Sequence, residues 1–229
     1  MVGKCLFVTG TGTDIGKTYV TGLIVKKLKD SGVNAGYYKA ALSGATVDAA
    51  GNLEPGDVLH VKQTAKLDTS VSDMVSYVYR EAVSPHLAAK LNGEVIDFAK
   101  IKADFTRAKT IFEYLTVEGS GGIVCPLRFD ETKQLLLADV VCRLSLPVLI
   151  VADAGLGTIN GTVLTIHYLN DRHIPVKGVI FNNSRPGDVM EEDNAITIEK
   201  MTGVKVLARV KKGDTELFME SAALTALYE

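Results

Sequence analysis

Residues 4–18 read KCLFVTGTGTDIGKT, an apolar run followed by a glycine-rich loop and a Gly-Lys-Thr triplet. The apolar run predicts a strand over Cys5–Thr9. The following residues predict an amphipathic helix, with an apolar face formed by Val20, Leu23, Ile24 and Leu28. A glycine loop between strand and helix is the setting in which backbone amides and a helix N-terminus bind phosphate. This stretch therefore predicts a P-loop at the start of an α/β domain.

Apolar strands and amphipathic helices alternate through the rest of the chain. Further strands are predicted at Asn34–Lys39, Leu115–Glu118, Pro147–Ala152, Val176–Asn182 and Val204–Val210. Helices are predicted at Phe98–Tyr114, Lys133–Leu144, Thr158–Asp171 and Met190–Met201, and a surface loop at Gly44–Pro55. Nearly continuous apolar strands separated by helices are typical of parallel sheets covered on both faces. We expect one α/β domain over residues 1–229, P-loop NTPase-like, with a mostly parallel sheet of about seven strands.

Composition narrows the functional class. The formal net charge of −2 argues against general binding to nucleic acid or an anionic membrane. No apolar run approaches the roughly 20 residues of a membrane helix, and the first strand begins too early for a signal segment. The three cysteines form no C-x-x-C pair and are expected to be buried thiols. These features predict a cytoplasmic protein with small-molecule partners, including an anion.

The loop supplies groups for a nucleotide and its metal. Lys17 is placed to reach terminal phosphates, and the Thr18 hydroxyl to ligate magnesium. Five residues separate Gly10 from Gly16, one more than in the usual P-loop spacing. The alternative is a plain strand-to-helix turn capped by Asp14.

Several segments in chain order resemble the dethiobiotin synthetase family. The loop fits the family pattern from Gly10 to Thr18, except that Gly12 stands where Asp is usual. Four further segments are similar to segments of the family: GYYKAALSG (36–44), VSPHLAAKLNG (83–93), VEGSGG (117–122) and the longer stretch 137–165, which contains GLGTIN. Ala40 stands where Pro is usual, and Gly161 where His is common.

The resemblance implies an ATP-dependent cyclo-ligase of biotin synthesis. It would convert 7,8-diaminononanoate, CO2 and ATP to dethiobiotin, ADP and phosphate, through a carbamate and a carbamic-phosphoric anhydride. Magnesium is the implied cofactor, with Thr18, Asp57 and Glu118 as oxygen ligands. The implied catalytic residues are Lys39, Lys17 and Asp14, where the lysines neutralise the two anions that meet in phosphoryl transfer.

The resemblance also assigns the binding residues. ATP contacts are implied for Thr13, Asp14, Ile15, Gly16, Lys17, Thr18, Tyr19 and Asn182. Of these, Asn182 fits the base-binding Asn of the family, and it fits better than Asn183. Substrate contacts are implied for Thr13, Lys39, Ser43, Gly155, Leu156, Gly157, Thr158, Ile159 and Asn194. In the family the loop that corresponds to residues 155–159 holds the substrate carboxylate across a two-fold interface, so a homodimer is implied.

Some of these residues have ordinary structural interpretations. Lys39 at a strand end can be a solvated charge, and Asp57 a helix N-cap. Asn194 can be an exposed helix residue, and Ser43 a turn residue. His86 is interpreted as structural, because a His after Pro at a helix start commonly caps or packs.

The main functional alternative is a P-loop partitioning-type ATPase that switches partners on hydrolysis. Such proteins carry a second lysine early in the loop, and no Lys precedes Lys17 within it. The segment LARVKKGD (207–214) replaces the family segment that helps hold the nucleotide, which leaves the strictness of ATP preference open.

Overall fold

The computed structural model describes residues 3–229. Its strands are β1 (Lys4–Gly10), β2 (Ala35–Ser43), β3 (Thr46–Val47), β4 (Leu53–Glu54), β5 (Val75–Tyr79), β6 (Tyr114–Gly122), β7 (Pro126–Phe129), β8 (Gln134–Leu136), β9 (Val148–Asp153), β10 (Val176–Asn182) and β11 (Val206–Arg209). Its helices are α1 (Lys17–Asp30), α2 (Gly56–Thr64), α3 (Val71–Met74), α4 (Pro85–Leu91), α5 (Phe98–Ile111), α6 (Leu137–Arg143), α7 (Thr158–Asp171), α8 (Val189–Thr202) and α9 (Ser221–Thr225).

Seven parallel strands form the central sheet in the order β11-β10-β9-β1-β6-β2-β5. The sheet confirms the predicted α/β, P-loop NTPase-like architecture. Strand β1 lies near its centre, so the loop that follows β1 is at the middle of the sheet's carboxyl edge. Open α/β sheets bind ligands at this edge.

Both faces of the sheet are buried because side chains alternate along each strand. In β1, Cys5 and Phe7 pack into one core with α5, α6, α7 and α8. Leu6 and Val8 pack into the opposite core, which α1 and α9 complete. This two-sided burial accounts for the nearly continuous apolar character of the strand.

Several predicted boundaries were wrong. The predicted helix at Lys133–Leu144 is divided, because residues 134–136 form strand β8, which pairs antiparallel with β7. Helix α6 then begins at Leu137, where the Asp139 carboxylate accepts a hydrogen bond from the Leu136 amide at 2.7 Å. The edge strand β5 was not predicted, and the predicted Gly44–Pro55 loop contains the short β3–β4 hairpin.

The cysteine prediction was also partly wrong. Cys5 is buried, but Cys125 is half-buried and Cys142 is exposed, and all three are free thiols. Cys142 is near the end of the short helix α6, where its Sγ is 3.9 Å from the Arg172 carbonyl oxygen. None of the described helices has the length and apolar character needed to cross a membrane.

Candidate active site

The loop after β1 leaves the start of α1 open to an anion. Gly16 is the N-cap of α1, with a left-handed φ of 84°, and no side chain caps the helix. The alternative in which Asp14 caps a plain turn is therefore wrong. A Cβ on Gly16 would lie only 2.0 Å from Nδ2 of Asn182, so the close approach also requires glycine. The uncapped amides and the helix dipole favour an anion such as phosphate at this position.

Lys17 is nearly buried, with 7% of its surface exposed. Its Nζ donates a hydrogen bond to the Gly12 carbonyl oxygen at 2.7 Å, which folds the side chain back over the loop. Burial lowers the pKa of Lys17, and the positive charge of Lys39 lowers it further. An added anion would relieve both effects. A Cβ on Gly12 would meet no atom within 4 Å, so no close packing requires glycine at the position where the family usually has Asp.

Four separate elements, α1, β2, α2 and β6, bring together Thr18, Lys39, Asp57 and Glu118, and we call these four residues the lysine–carboxylate cluster. The Lys39 ammonium donates to Asp57 Oδ2 and to Glu118 Oε1, each at 2.6 Å. Thr18 Oγ1 donates to the same Glu118 oxygen at 2.8 Å. Lys39 and Glu118 are 2% and 1% exposed, so their charges are screened little by water.

Electrostatics favour the charged forms of Lys39 and Asp57. Burial alone would lower the pKa of Lys39, but the carboxylates of Glu118 and Asp57 outweigh it and raise that pKa. Burial alone would raise the pKa of Asp57, but the Lys39 ammonium holds it below its ordinary value. Lys39 is thus a buried, paired ammonium rather than a solvated charge. Asp57 is in the first turn of α2, where Pro55 is the N-cap, so the N-cap interpretation is wrong.

Tyr37 completes the surroundings of Glu118. Its hydroxyl donates to Glu118 Oε2 at 3.2 Å, and the ring is fully buried. Burial raises the pKa of Tyr37 well above its ordinary value, and the charge of Glu118 raises it further, so the hydroxyl remains a donor. Tyr37 is not among the site residues predicted from the sequence.

One cavity of about 450 Å³ joins the loop to the cluster. Its lining residues are Thr13, Asp14, Gly16, Lys17, Thr18, Lys39, Leu42, Ser43, Asp57, Glu118, Ser120 and Gly121. Thr13 and Asp14 are exposed at its rim, and Ser43 is half-buried. Leu42, Ser120 and Gly121 were not predicted. The glycine-rich run GSG that follows Glu118 is the sequence feature that could have indicated Ser120 and Gly121.

The predicted base-binding residue lies against the same loop. Asn182 Nδ2 donates to the Ile15 carbonyl oxygen at 2.9 Å. Its Oδ1 is buried and has no hydrogen-bond partner among the described residues. Asn183 is turned elsewhere, since its Nδ2 donates to Asp153 Oδ2 at 2.8 Å. Tyr19 is half-buried at the start of α1, and its hydroxyl donates to the Asp214 carbonyl oxygen.

The remaining predicted substrate-binding residues lie around a second, separate cavity. Leu156, Gly157, Ile159 and Asn194 line another cavity of about 450 Å³ between the start of α7 and α8. Gly155 and Thr158 are in the same loop. Asn194 is 6% exposed, and its Nδ2 donates to the carbonyl oxygens of Ala154 and Gly155 at 2.9 and 3.2 Å. The interpretation of Asn194 as an exposed helix residue is therefore wrong.

His86 is not part of either cavity. It lines a third cavity of about 680 Å³ between α4 and the β7–β8 hairpin. Its Nδ1 is buried without a hydrogen-bond partner among the described residues.

The fold and the first cavity define a P-loop nucleotide-binding protein with a buried lysine opposite its phosphate loop. A family profile described as AAA domain matches residues 4–215. The ATP-dependent dethiobiotin synthetase BioD of Brachyspira hyodysenteriae is 48% identical over 94% of this chain and 96% of its own length. The protein of the same name from Clostridium botulinum strain Eklund 17B is 45% identical over 90% of this chain and 89% of its own. The chain belongs to the ATP-dependent dethiobiotin synthetase family.

Solved structures bear on the fold alone. The MinC:MinD cell division protein complex of Aquifex aeolicus matches with a TM-score of 0.55 and 16% identity, covering 91% of this chain and 81% of that one. A ParA family ATPase of Chlorobium tepidum matches with a TM-score of 0.52 and 13% identity, over 92% and 84% of the two chains. Partitioning and cell-division ATPases thus share the architecture of this chain.

Proposed function

We propose that this chain catalyses the reaction of its family, the ATP-dependent conversion of 7,8-diaminononanoate and CO2 to dethiobiotin. The observation that carries the proposal is the buried Lys39 ammonium, which faces the same cavity as the Lys17 loop. The second lysine of a partitioning-type ATPase comes from the phosphate loop itself, whereas Lys39 comes from β2 and is paired with the carboxylates of Asp57 and Glu118 in the same cavity. A ligase that joins two anions needs a cation in such a position, because phosphate and carbamate repel each other.

The proposed reaction has three steps. One substrate amine adds to CO2 and loses a proton, which gives a carbamate. A carbamate oxygen attacks the γ-phosphorus of ATP, and the bond to the β-phosphate oxygen breaks to release ADP. The second amine attacks the carbamoyl carbon, the C–O bond to phosphate breaks, and loss of a proton leaves the cyclic urea and inorganic phosphate.

Lys17 and Lys39 would each neutralise a different part of the reacting anions. Lys17 exchanges its hydrogen bond to the Gly12 carbonyl for a terminal phosphate oxygen, and the open N-terminus of α1 binds the neighbouring phosphate. Lys39 neutralises the carbamate and the transferred phosphoryl group. Asp14 and Thr13, at the rim of the cavity, orient the substrate amines, and Ser43 donates a hydrogen bond to the carbamate.

The cluster fits a magnesium ion. Asp57 and Glu118 both bind one ammonium at 2.6 Å, so the two carboxylates already face a shared cationic position. Thr18 adds a hydroxyl to the set, and oxygen ligands are what magnesium prefers. No group of three or more His, Cys, Asp or Glu that could hold a metal ion is found among the described residues, so the proposed site depends on two carboxylates and one hydroxyl. Bound magnesium would neutralise phosphate charge. The carboxylates would then bind Lys39 less tightly and leave it free to face the carbamate.

Adenine recognition is assigned to Asn182. Its buried Oδ1 lacks a donor, and the exocyclic amino group of adenine would supply one. Guanine presents a carbonyl oxygen at the corresponding position and would leave two acceptors facing each other. Ile15, whose carbonyl oxygen accepts a hydrogen bond from Asn182, and Tyr19, in the first turn of α1, complete the proposed nucleotide contacts.

A homodimer is proposed from the apolar surface around residues 155–159. Leu156 is 93% exposed, and Leu164 and Met201 of the same cavity are 61% and 57% exposed. Large apolar side chains exposed in a contiguous group mark an interaction surface. In the dimer the amides of Gly155, Gly157, Thr158 and Ile159 would bind the substrate carboxylate of the partner's site, and Asn194 would hold the loop in shape. We further propose that residues 1–229 act as one domain in the cytoplasm.

The purified protein, incubated with 7,8-diaminononanoate, bicarbonate, magnesium and ATP, should form dethiobiotin and ADP in equal amounts, detected by mass spectrometry. Omission of the diamine should suppress ADP formation. Steady hydrolysis of ATP without the diamine, and no dethiobiotin with it, would favour the partitioning-type switch instead.

A further inference from the structure

Tyr37 and the lysine–carboxylate cluster share one face of β2. Tyr37 precedes Lys39 by two residues, and alternation along a strand sends both side chains to the same side. The two side chains donate hydrogen bonds to different oxygens of the Glu118 carboxylate. Oε2 accepts from Tyr37 at 3.2 Å, whereas Oε1 accepts from Lys39 at 2.6 Å and from Thr18 at 2.8 Å.

These separate hydrogen bonds to Oε1 and Oε2 fix the orientation of the Glu118 carboxylate. A buried carboxylate needs donors on its oxygens, and Glu118 is only 1% exposed. Within residues 3–229 the hydroxyl of Tyr37 is the side-chain donor to Oε2. Without it, Oε2 would have to turn toward Lys39 or Thr18 for a hydrogen bond. Such a turn would bind the ammonium more tightly and move Oε1 away from the cavity.

We infer that Tyr37 is a positioning residue, whose hydroxyl orients Glu118 so that its Oε1 faces the divalent cation. The inference rests on the magnesium site proposed above. Tyr37 does not line the cavity, so its effect would pass through Glu118. Its loss should weaken cation binding while leaving the phosphate loop intact.

The neighbouring residue provides a matched control. Tyr38 is also fully buried, but it packs into the core on the opposite side of the sheet from Tyr37. Its hydroxyl contacts Ser76 Oγ at 2.6 Å and the Ile101 carbonyl oxygen at 3.1 Å. Tyr38→Phe therefore removes a buried, hydrogen-bonded hydroxyl from the same strand without touching the cluster.

The test measures Mn²⁺ affinity in the presence of ADP by electron paramagnetic resonance, with ADP affinity in EDTA as the second readout. Tyr37→Phe should weaken Mn²⁺ binding roughly tenfold, the size expected for one hydrogen bond to a charged group. Its ADP affinity without metal should stay within about twofold of the wild type. Tyr38→Phe should change neither value, although both variants should lower the unfolding temperature.

A double-mutant cycle with Glu118→Gln tests whether Tyr37 acts on the cation through Glu118. In the Glu118→Gln background, Tyr37→Phe should have no further effect on Mn²⁺ affinity. An equal further loss there, or an equal loss in Tyr38→Phe, would overturn the positioning role. Mn²⁺ binding that is weakened by Glu118→Gln but not by Tyr37→Phe would overturn the role and leave the metal site standing. Unchanged binding in Glu118→Gln itself would overturn the proposed metal site.

Discussion

Replacing Lys39 with Met separates the structural and chemical contributions of this residue. Methionine keeps an unbranched side chain of similar length but has no charge. The Glu118 carboxylate would keep its hydrogen bonds from Thr18 and Tyr37 but lose the buried ammonium at 2.6 Å. Asp57 would lose the same partner, although its side chain is 41% exposed and can recruit water.

The expected cost follows from this difference in exposure. Removing one partner of a buried ion pair costs about 3–5 kcal/mol, because the remaining charge is buried without compensation. The Asp57 contact adds little, since exposed pairs contribute less than about 1 kcal/mol. For a chain of this length the total corresponds to an unfolding temperature lower by roughly 6–20 °C. Turnover should fall at least about a hundredfold, as for loss of one preorganised charge at a transition state.

Thermal unfolding and dethiobiotin formation would be measured on the same preparations, with and without magnesium. Magnesium should raise the unfolding temperature of Lys39→Met more than that of the wild type, because it replaces the missing cation between the carboxylates. Lys100→Met is the control, since Lys100 makes an exposed pair with Asp104 at 2.8 Å and should cost less than about 0.5 kcal/mol. An unaltered unfolding temperature in Lys39→Met, or turnover within tenfold of the wild type, would refute the reasoning.

Other expectations concern the nucleotide, the interface and pH. Asn182→Ala should raise the KM for ATP roughly 3- to 10-fold and reduce discrimination against GTP, whereas Asn183→Ala should not; equal effects would contradict the base assignment. Leu156→Asp should halve the mass measured by light scattering and raise the KM for the diamine without lowering the unfolding temperature of the monomer; an unchanged mass would argue against this interface. The raised pKa of Lys39 stabilises the fold fully below about pH 10.4, and this contribution is lost as pH rises through the folded-state pKa. The lowered pKa of Asp57 stabilises it above about pH 4, and this contribution is lost as pH falls through the folded-state pKa; unfolding temperatures of Asp57→Asn that parallel the wild type in acid would contradict it.

Local sequence predicted the features that depend on neighbours in the chain. The loop before Lys17 could be predicted because strand, glycines and helix are consecutive. The edge strand β5 could not, because five residues after a one-turn helix carry too little periodicity. The apolar periodicity of residues 133–144 favoured a single helix, whereas the actual strand pairing of β8 depends on residues 126–129.

In the site, too, residues in recognisable local segments could be predicted, whereas a contact that depends on distant packing could not. Lys17, Thr18, Lys39, Asp57 and Glu118 were predicted together, and the structure brings them to one cavity. Tyr37 was missed because its contact depends on the register of β2 against β6, in which Lys39 lies directly opposite Glu118. Register is set by long-range packing, and the sequence of β2 alone does not reveal it. The roles of the cavity residues stay predictions until they are measured.

The central claim is that a carbamate oxygen attacks the γ-phosphate within this cavity. Oxygen-18-labelled CO2, freshly mixed with the protein, diamine, magnesium and ATP, tests it directly by mass spectrometry of the inorganic phosphate. Labelled oxygen should pass from CO2 into phosphate, with one oxygen transferred for each dethiobiotin formed. Phosphate that carries oxygen only from water, in the presence of labelled CO2 and diamine, would contradict it.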